Sequence, residues 1–388
     1  MTRDVVIAGI AEAELANGHF AEPASVLEVQ ARCVSRALAD AGLTLPDVDG
    51  VLVAGLWGMP GAGTLMPLTL PEYLGIKPRF VDGTNIGGSA FEAHVAHAAM
   101  AIERGYCDVA VITYGSDQRS AKGRSLAGRP PHLNMQFDTP FGLLTPIGSY
   151  ALAAHRHMHE YGTTSEQLAE IAVSARNWAK KNPAAMKRDD LSVDDVLSST
   201  MVSDPLHKFD ACLVTDGGGA IVMTSPDKLS ARAKQRSVYV RGYGEAVSHW
   251  TINGMTDLTT TSAAVSGPAA MSMAGVTHDD FDVVEIYDSF TITVLLTLEA
   301  LGFCKRGEGG AFVENGRLGP GGEFPINTNG GGLSCSHPGM YGMFLLFEAV
   351  RQIRGDAGER QLPKATTALV NGTGGNLSST ATCVLSNR

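Results

Sequence analysis

Residues 327–342 read N-T-N-G-G-G-L-S-C-S-H-P-G-M-Y-G, and an apolar run at 343–350 follows them directly. Consecutive glycines let the backbone approach a ligand closely and adopt positive φ without steric cost. The pattern predicts a helix that begins at about Tyr341 and directs its free N–H groups back at that ligand. A glycine-rich surface turn is the commoner explanation of a lone glycine run. The rest of the chain decides between these interpretations.

The composition is that of an acidic globular protein of 388 residues, with 44% hydrophobic and 18% charged residues. This length suggests two or three domains and a large buried core. The net charge of −10, without a Lys/Arg-rich run, argues against nucleic acid as the main partner. The sequence shows neither an apolar stretch of roughly 18 residues nor a leader-like segment, so we expect no membrane association. Six scattered cysteines without a C-x-x-C pair fit reduced thiols in a cytoplasmic protein.

Apolar runs and helical periodicity alternate along the first 115 residues. They predict strands at 5–10, 48–54 and 109–114, helices at 23–41 and 90–104, and a sharp glycine turn at 84–89. Strands that alternate with helices in this way are typical of a layered α/β domain.

The second half of the chain repeats the first. G-I-A-E-A (9–13) matches G-Y-G-E-A (242–246), and A-G-L-T-L-P-D-V-D (41–49) matches A-G-V-T-H-D-D-F-D (274–282), both at an offset of 233 residues. With small shifts, Thr84-Asn85 matches Thr328-Asn329, and the strand at 109–114 matches 368–372. We therefore predict two copies of one α/β unit, at 1–235 and 236–388, whose glycine turns face one pocket. The first copy carries an insertion at about 116–206, with helices predicted at 145–160, 164–181 and 192–199.

Motifs spread in order over nearly the whole chain resemble the thiolase superfamily. They are Y-G-T-T-S-E-Q-L-A (161–169), N-P-A-A (182–185), D-P-L (204–206), T-D-G-G-G-A (215–220), N-T-N-G-G-G (327–332) and H-P-G (337–339). The resemblance is strongest to the sterol-carrier-protein-type thiolases and their lipid-transfer-protein-like relatives. It implies a duplicated thiolase-like α/β fold with five layers, α-β-α-β-α, and an inserted loop domain. It also implies a homodimer along the first unit's edge strand and a coenzyme A thioester as ligand.

The residues of thiolase catalysis are altered. Where the family has its nucleophilic Cys before a small-residue helix, this chain reads G-G-S-A-F-E-A (87–93), with Gly87 at the Cys position. Glycine has no side chain, so no acyl-enzyme can form there. The C-terminal turn that carries a Cys or His in the family reads L-V-N-G-T-G-G-N (369–376), and the oxyanion segment reads Y-D-S-F (287–290). The His of the family's G-H-P motif is present as His337.

This pattern resembles the steroid side-chain-cleaving aldolases of bacterial sterol and bile-acid degradation, a branch of the superfamily without the Cys. The resemblance implies retro-aldol cleavage of a β-hydroxyacyl-CoA to a ketone or aldehyde and a shorter acyl-CoA. It also implies a small partner subunit with an OB fold and a zinc ribbon, in an α2β2 complex. No cofactor is expected on this chain, although the partner could hold zinc.

Retro-aldol cleavage needs a base for the β-hydroxyl proton, donors for the enolate oxygen and an acid for the α-carbon. We predict Tyr341 and Tyr287 as the acid/base pair, although a tyrosine hydroxyl needs a lowered pKa or an assisting partner to act as a base. His337 would hold the thioester oxygen or assist a tyrosine, and Asp288 would orient Tyr287. Tyr243, on an exposed G-Y-G turn, is a third candidate, for which packing at a strand end is the simpler explanation.

Small residues of the turns complete the predicted site. We expect Gly87, Ser89, Asn329, Gly331 and Gly374 to contact the substrate. Four cations of the insertion could meet the phosphates of coenzyme A, and isolated surface charges explain them nearly as well: Arg119, Lys122, Arg124 and Arg129. The histidines at 155, 157 and 159 do not share one helix face, which favours a solvated helix over a metal site.

Two other functions stay open at this point. The missing Cys also fits a non-catalytic member of the superfamily that binds acyl-CoA or scaffolds a complex. An acetyl-CoA acyltransferase would have to use another thiol, such as Cys335, although a packed thiol is the simpler explanation of that residue.

Overall fold

The computed structural model describes residues 3–55, 65–121, 136–143 and 146–388. The strands in these ranges are β1 (Val6–Glu12), β2 (Leu15–Ala16), β3 (His19–Phe20), β4 (Gly50–Val53), β5 (Phe80–Asp82), β6 (Val109–Ser116), β7 (Met201–Ser203), β8 (Leu206–His207), β9 (Gly217–Thr224), β10 (Val238–Val247), β11 (Val283–Ile286), β12 (Thr367–Gly374) and β13 (Ser379–Ser386). The α-helices there are α1 (Val26–Ala41), α2 (Met66–Leu74), α3 (Ala90–Glu103), α4 (Ile147–Tyr161), α5 (Ser165–Lys180), α6 (Val193–Ser198), α7 (Ala231–Arg236), α8 (Ala263–Ala274), α9 (Thr291–Leu301), α10 (Gly309–Val313) and α11 (Gly342–Arg354). The helices and strands predicted above are all present, with ends that differ by at most three residues.

Hydrogen bonds join nine strands into one mixed sheet, in the order β11-β12-β13-β10-β1-β9-β6-β4-β5. In the first half, β1 and β6 run antiparallel to β9, and β4 runs parallel to β6. In the second half, β10 and β12 run antiparallel to β13, and β11 runs parallel to β12. The halves meet at the start of β1 and β10, through the pairs Val6–Tyr239 and Ile7–Val238. Both halves thus have the strand order that a duplication produces, while the residue at which the units divide stays a prediction.

The repeat at an offset of 233 residues is structural as well as sequential. The pairing of β1 shifts register just before Gly9, and the pairing of β10 shifts just before Gly242. A Cβ on Gly9 would collide with the carbonyl oxygen of Ala37, and a Cβ on Gly242 with that of Ala270. Each glycine is therefore required because the first helix of its unit lies directly on the strand. The prediction of a duplicated core is confirmed.

Helices cover both halves and fill the space between them. The helix α1 packs on β1, β6 and β9, and α8 packs on β10 and β13. Between the halves lie α3 and α11, which contact each other and strands of both halves. The strands of the two halves form the two β layers, with α1 and α8 outside them and α3 and α11 between them, which gives the five predicted layers. None of the helices in the described ranges is long and apolar enough to cross a membrane.

The insertion between β6 and β9 carries α4 to α6 and packs against α9 and α10 of the second half. His157 is buried in this contact, with Nδ1 2.7 Å from the hydroxyl of Thr163 and Nε2 3.1 Å from the carboxylate of Glu299. The prediction of a solvated helix was wrong for His157, whereas His155 and His159 are exposed. Alternate residues of a helix point to nearly opposite sides, which explains the difference. Across the described ranges, no three His, Cys, Asp or Glu side chains are grouped so that they could hold a metal ion.

Candidate active site

The two glycine turns are each tightened by the same local hydrogen bond from an asparagine. In the first turn, the side-chain oxygen of Asn85 accepts the N–H of Gly87 at 3.2 Å. In the second turn, the side-chain oxygen of Asn329 accepts the N–H of Gly331 at 2.7 Å. An asparagine that bonds the backbone two residues ahead is a common way to tighten a turn. The structure therefore confirms the predicted match between Thr84-Asn85 and Thr328-Asn329.

Close backbone packing brings these turns together at the starts of α3 and α11. A Cβ on Gly342 would collide with the carbonyl oxygen of Gly88, and a Cβ on Gly88 would collide with the ring of Tyr287. Gly87 has φ +75°, and a Cβ there would lie 2.6 Å from the backbone nitrogen of Gly375. Four segments thus converge on one place: the turn at 84–89, the Y-D-S-F segment, the C-terminal turn and the start of α11.

Tyr287 and His337 form a buried pair at this place. The hydroxyl of Tyr287 lies 3.0 Å from Nε2 of His337, and the main-chain N–H of Tyr341 donates to the same hydroxyl at 3.1 Å. Tyr287 is 4% exposed and His337 is 7% exposed. The main chain of His337 is fixed by two bonds with Thr215 of the T-D-G-G-G-A motif, at 3.0 and 3.2 Å. The predicted assistance of a tyrosine by His337 therefore has a geometric basis.

Tyr341 is held separately, by the asparagine of the second turn. The side-chain nitrogen of Asn329 donates to the hydroxyl of Tyr341 at 2.9 Å. The ring of Tyr341 is fully buried, stacks on Phe344 and lies 5.9 Å from the ring of His337. Because Asn329 is the donor in this bond, the hydroxyl proton of Tyr341 is directed away from it. Asn329 thus uses its oxygen for the turn and its nitrogen for the tyrosine.

Burial keeps the three ring side chains uncharged at neutral pH. It raises the pKa of Tyr287 and the pKa of Tyr341 well above their usual value of 10. It lowers the pKa of the His337 imidazole to about 4. A neutral His337 with its proton on Nδ1 accepts the Tyr287 hydroxyl at Nε2. Neither tyrosine has the lowered pKa that a base acting alone would need, so a base role requires the assistance of His337.

Asp288 does not orient Tyr287 as predicted. Its carboxylate accepts the N–H groups of Gly332 and Leu333, at 2.7 and 3.1 Å, and a Cβ on Gly331 would collide with it. Burial raises the pKa of Asp288 to about 7, and these N–H bonds offset part of that effect. Asp288 therefore anchors the loop between Asn329 and His337.

Tyr243 is not brought into this cluster. It lies within β10 and not on an exposed turn, where it pairs with Cys383 and is half-buried. Its neighbouring charged groups are Glu103 and Arg104, at the carboxyl end of α3, whereas the site lies at the amino end of that helix. The simpler interpretation, packing of Tyr243 in a strand, agrees with this position.

The predicted small residues all surround the site. Gly374 packs against the backbone around Gly87, and Gly331 packs against the carboxylate of Asp288. The hydroxyl of Ser89 is buried and lies 2.9 Å from that of Ser379, so it is used within the protein.

Of the four cations predicted to bind phosphate, the structure describes only Arg119. Lys122, Arg124 and Arg129 lie outside the described residues. Arg119 donates to His19 at 3.0 Å and to the carbonyl oxygen of Val214 at 3.2 Å. Its binding of a phosphate stays a prediction.

Two side chains beside Tyr287 were missed from the sequence. Tyr150 comes from α4, and Cys212 precedes the T-D-G-G-G-A motif; ionisation of either would raise the pKa of Tyr287. Cys212 also borders a cavity of about 560 Å³ that reaches Leu333 and is lined in part by Arg176 and Lys208. No sequence signal marks these two residues, because both come near Tyr287 from parts of the chain that are far from it in sequence.

Comparisons with known proteins identify the family of this site. The model of the family described as thiolase C-terminal domain-like matches residues 244–387. Acetyl-CoA acetyltransferase of Methanothermobacter thermautotrophicus is 31% identical over 348 residues, which are 87% of this chain and 88% of that protein. A steroid side-chain-cleaving aldolase of Thermomonospora curvata is 32% identical over 388 residues, which are 95% of each protein. The solved structure of an Ltp2-ChsH2(DUF35) aldolase superposes with a TM-score of 0.85 at 30% identity, over 99% of this chain and 97% of that chain.

The two relatives and the solved structure match 87% or more of the chain, which agrees with the duplicated fold. The chain belongs to the thiolase superfamily, in the branch of the sterol-carrier-type thiolases and the steroid side-chain-cleaving aldolases.

Proposed function

We propose that this protein is an aldolase that cleaves a β-hydroxyacyl-CoA, with a steroid side-chain thioester as the substrate class. The observation that carries the proposal is the buried Tyr287–His337 pair beside Tyr341, opposite a turn at which Gly87 offers no nucleophile. Relatives that cover nearly the whole chain are named aldolase or carboxyl-CoA lyase, which supports this reaction class. Retro-aldol cleavage needs proton transfer and enolate stabilisation but no covalent intermediate, and the cluster offers these two functions.

The pKa values indicate that the proton moves in a concerted way. Burial raises the pKa of Tyr287 and lowers that of His337, so full transfer of the proton from Tyr287 to His337 before the substrate reacts is strongly unfavourable, and no free tyrosinate forms. In our mechanism the β-hydroxyl proton moves to Tyr287 while the proton of Tyr287 moves to Nε2 of His337. The Cβ–O⁻ electrons form the carbonyl, and the Cα–Cβ pair passes into the thioester enolate. The proton then returns through Tyr287 to the α-carbon.

Tyr341 is suited to stabilise the enolate. Its hydroxyl accepts from Asn329 and can donate its proton to the enolate oxygen. A fixed donor in a water-excluded site typically contributes about 3–4 kcal/mol to transition-state stabilisation. This assignment gives the two tyrosines of the predicted acid/base pair different roles. Tyr287 transfers the proton, and Tyr341 donates a hydrogen bond to the enolate oxygen.

The acyltransferase alternative lacks an activated thiol in the described ranges. Cys335 is 5% exposed, receives a bond from Asn182 at 3.4 Å and has its pKa raised by burial. Burial likewise raises the pKa of Cys212. A buried thiol with a raised pKa is a poor nucleophile. One relative is nevertheless named an acetyltransferase, so the distinction needs a direct test.

The partner and the assembly are part of the proposal. The description of the solved aldolase names a DUF35 component, which supports a small OB-fold/zinc-ribbon subunit for this chain as well. We propose a homodimer core with one such subunit on each protomer, in an α2β2 complex, and no cofactor on this chain. Any zinc would then belong to the partner. The coenzyme A thioester is the substrate and not a resident group.

The test is cleavage of a defined thioester by the assembled complex. The protein is co-expressed with the DUF35-type subunit of the solved aldolase complex and incubated with a 17-hydroxy steroid whose side chain ends in a CoA thioester. We expect a steroid ketone and a CoA ester shortened by the cleaved carbons, both detected by mass spectrometry. The same substrate without the β-hydroxyl is the matched control and should remain intact.

Each alternative predicts a different result. Tight thioester binding without cleavage would overturn the aldolase in favour of a binding or scaffold protein. A protein mass increased by an acyl group, lost on substitution of Cys335 by Ala, would support the acyltransferase.

A further inference from the structure

Tyr150 connects the insertion to the C-terminal turn of the site. It lies on α4 and is 3% exposed. Its hydroxyl donates to the carbonyl oxygen of Gly375 at 3.1 Å. Burial raises the pKa of Tyr150, and the hydroxyl of Ser289 and the backbone of Leu377, which lie near this oxygen, lower it by a smaller amount. One hydroxyl thus bonds the C-terminal turn and lies close to both Leu377 of that turn and Ser289 of the Y-D-S-F segment.

The ring of Tyr150 holds a second part of the site. It packs on Phe290 of the Y-D-S-F segment, with ring centroids 4.3 Å apart. Phe290 is 5% exposed and follows Tyr287 by three residues. The same side chain therefore contacts the segment that carries Tyr287 as well as the C-terminal turn.

The turn that Tyr150 holds has an unfavourable backbone conformation. Leu377 has φ +63° although it is not glycine, and it is fully buried. Such a conformation persists only when surrounding contacts hold it, and it is often found at functional sites. The neighbouring Gly375 lies against Gly87, so the turn faces the position that carries the nucleophile in the family.

We propose that Tyr150 is a positioning residue of the active site: its hydroxyl fixes the turn at 374–377 against Gly87, and its ring fixes the segment that carries Tyr287. The hydroxyl of a buried tyrosine needs a hydrogen-bond partner, and here that partner is the carbonyl oxygen of Gly375, in a turn whose strained backbone needs contacts to hold it. The catalytic part of this inference rests on the proposed aldolase activity, whereas the structural part does not.

The experiment compares Tyr150→Phe with Tyr161→Phe in the assembled complex. Both substitutions remove one hydroxyl from α4, and Tyr161 lies at the far end of the helix and is 37% exposed. Hydrogen exchange followed by mass spectrometry reports the turn through a peptide that covers residues 370–380. Steady-state cleavage of the steroid thioester gives kcat and KM, and thermal denaturation reports the global fold.

We expect the turn amides of Tyr150→Phe to exchange about tenfold faster, the loss typical of one hydrogen bond. We expect kcat to fall by at least about tenfold with KM within a factor of two, since positioning acts on the transition state. Tyr161→Phe should match the unsubstituted protein in the exchange rate of the turn amides and in the kinetic constants of cleavage. Unchanged exchange in Tyr150→Phe, or faster exchange with unchanged kcat, would overturn the inference. If the unsubstituted complex cleaves nothing, the proposed function fails, and exchange together with calorimetric thioester binding still decides whether Tyr150 shapes the site.

Discussion

We predict that Glu92→Gln makes the folded protein more stable at neutral pH. Glu92 lies in the first turn of α3, is 1% exposed, and neither of its carboxyl oxygens has a hydrogen-bond partner in the described part of the chain. Two glycines leave room for it, because a Cβ on Gly342 or Gly372 would collide with the carboxyl group. Burial without a partner raises the pKa of Glu92 from 4.5 to about 8.

The magnitude follows from the two pKa values. Between pH 4.5 and 8 the folded state binds more protons at Glu92 than the unfolded state, so stability falls as the pH rises through this window. The difference between the two pKa values lowers the free energy of unfolding by about 1 kcal/mol at pH 5 and by about 3 kcal/mol at pH 7. The reference is a pH at which Glu92 is protonated in both the folded and the unfolded state. Glutamine has nearly the same shape and no ionisation. The gain from Glu92→Gln should therefore be about 2 kcal/mol larger at pH 7 than at pH 5.

Urea denaturation at both pH values measures this difference through the free energy of unfolding. Asp288, whose raised pKa also opposes folding as the pH rises, contributes equally to both proteins and cancels. Glu359→Gln, at an exposed position, is the control and should show no pH-dependent gain. An equal effect of Glu92→Gln at pH 5 and pH 7 would refute the reasoning, since it would mean that Glu92 is ionised in the folded protein.

Two further predictions concern the tyrosine cluster and the vacant turn. Tyr287→Phe removes the hydroxyl between His337 and the main-chain N–H of Tyr341. We expect the cleavage rate to fall about 10²- to 10³-fold, with little change in melting temperature. A normal cleavage rate in initial-rate assays would exclude this role of Tyr287. Gly87→Cys is expected to lower the melting temperature without conferring acyl transfer, because its φ is +75° and its Cβ would lie 2.6 Å from the nitrogen of Gly375. Thermal denaturation and intact-mass measurement after incubation with acyl-CoA check it, and a stable acyl adduct would show that the turn still accepts a nucleophile.

The repeat and the elements around it could be predicted because their signals are local. Gly9 and Gly242 are each required by a helix that crosses their own strand, and these contacts recur at one offset. The helix after the second turn was also predicted, since Tyr341 is its N-cap. Such features depend on residues that are close in sequence or related by the duplication.

The sequence predicted that His337 would assist a tyrosine but not which way each side chain points, because adjacency in sequence is a poor guide to direction. Tyr287 and Asp288 are neighbours, and the prediction that one orients the other was wrong. Successive residues of an extended segment point to opposite sides. Tyr287 therefore meets His337, whereas Asp288 meets the N–H groups of Gly332 and Leu333. The pairing of Tyr287 with His337 joins residues 50 positions apart.

The two glycine turns share an origin, and their difference supports our placement of the chemistry. In the first turn, the side-chain oxygen of Asn85 closes the turn, and backbone fills the space beside Gly87. In the second turn, the oxygen of Asn329 closes the turn in the same way, and its nitrogen also holds Tyr341. The duplicated device thus has only a structural contact in one copy and a contact with a candidate catalytic residue in the other. A nucleophile is absent where the family would have one, and the proton-transfer groups are concentrated across the same junction. A change of mechanism from acyl transfer to retro-aldol cleavage is therefore compatible with an unchanged fold, because it requires the loss of one side chain at Gly87 and two new tyrosines, Tyr287 and Tyr341, around a histidine that is retained.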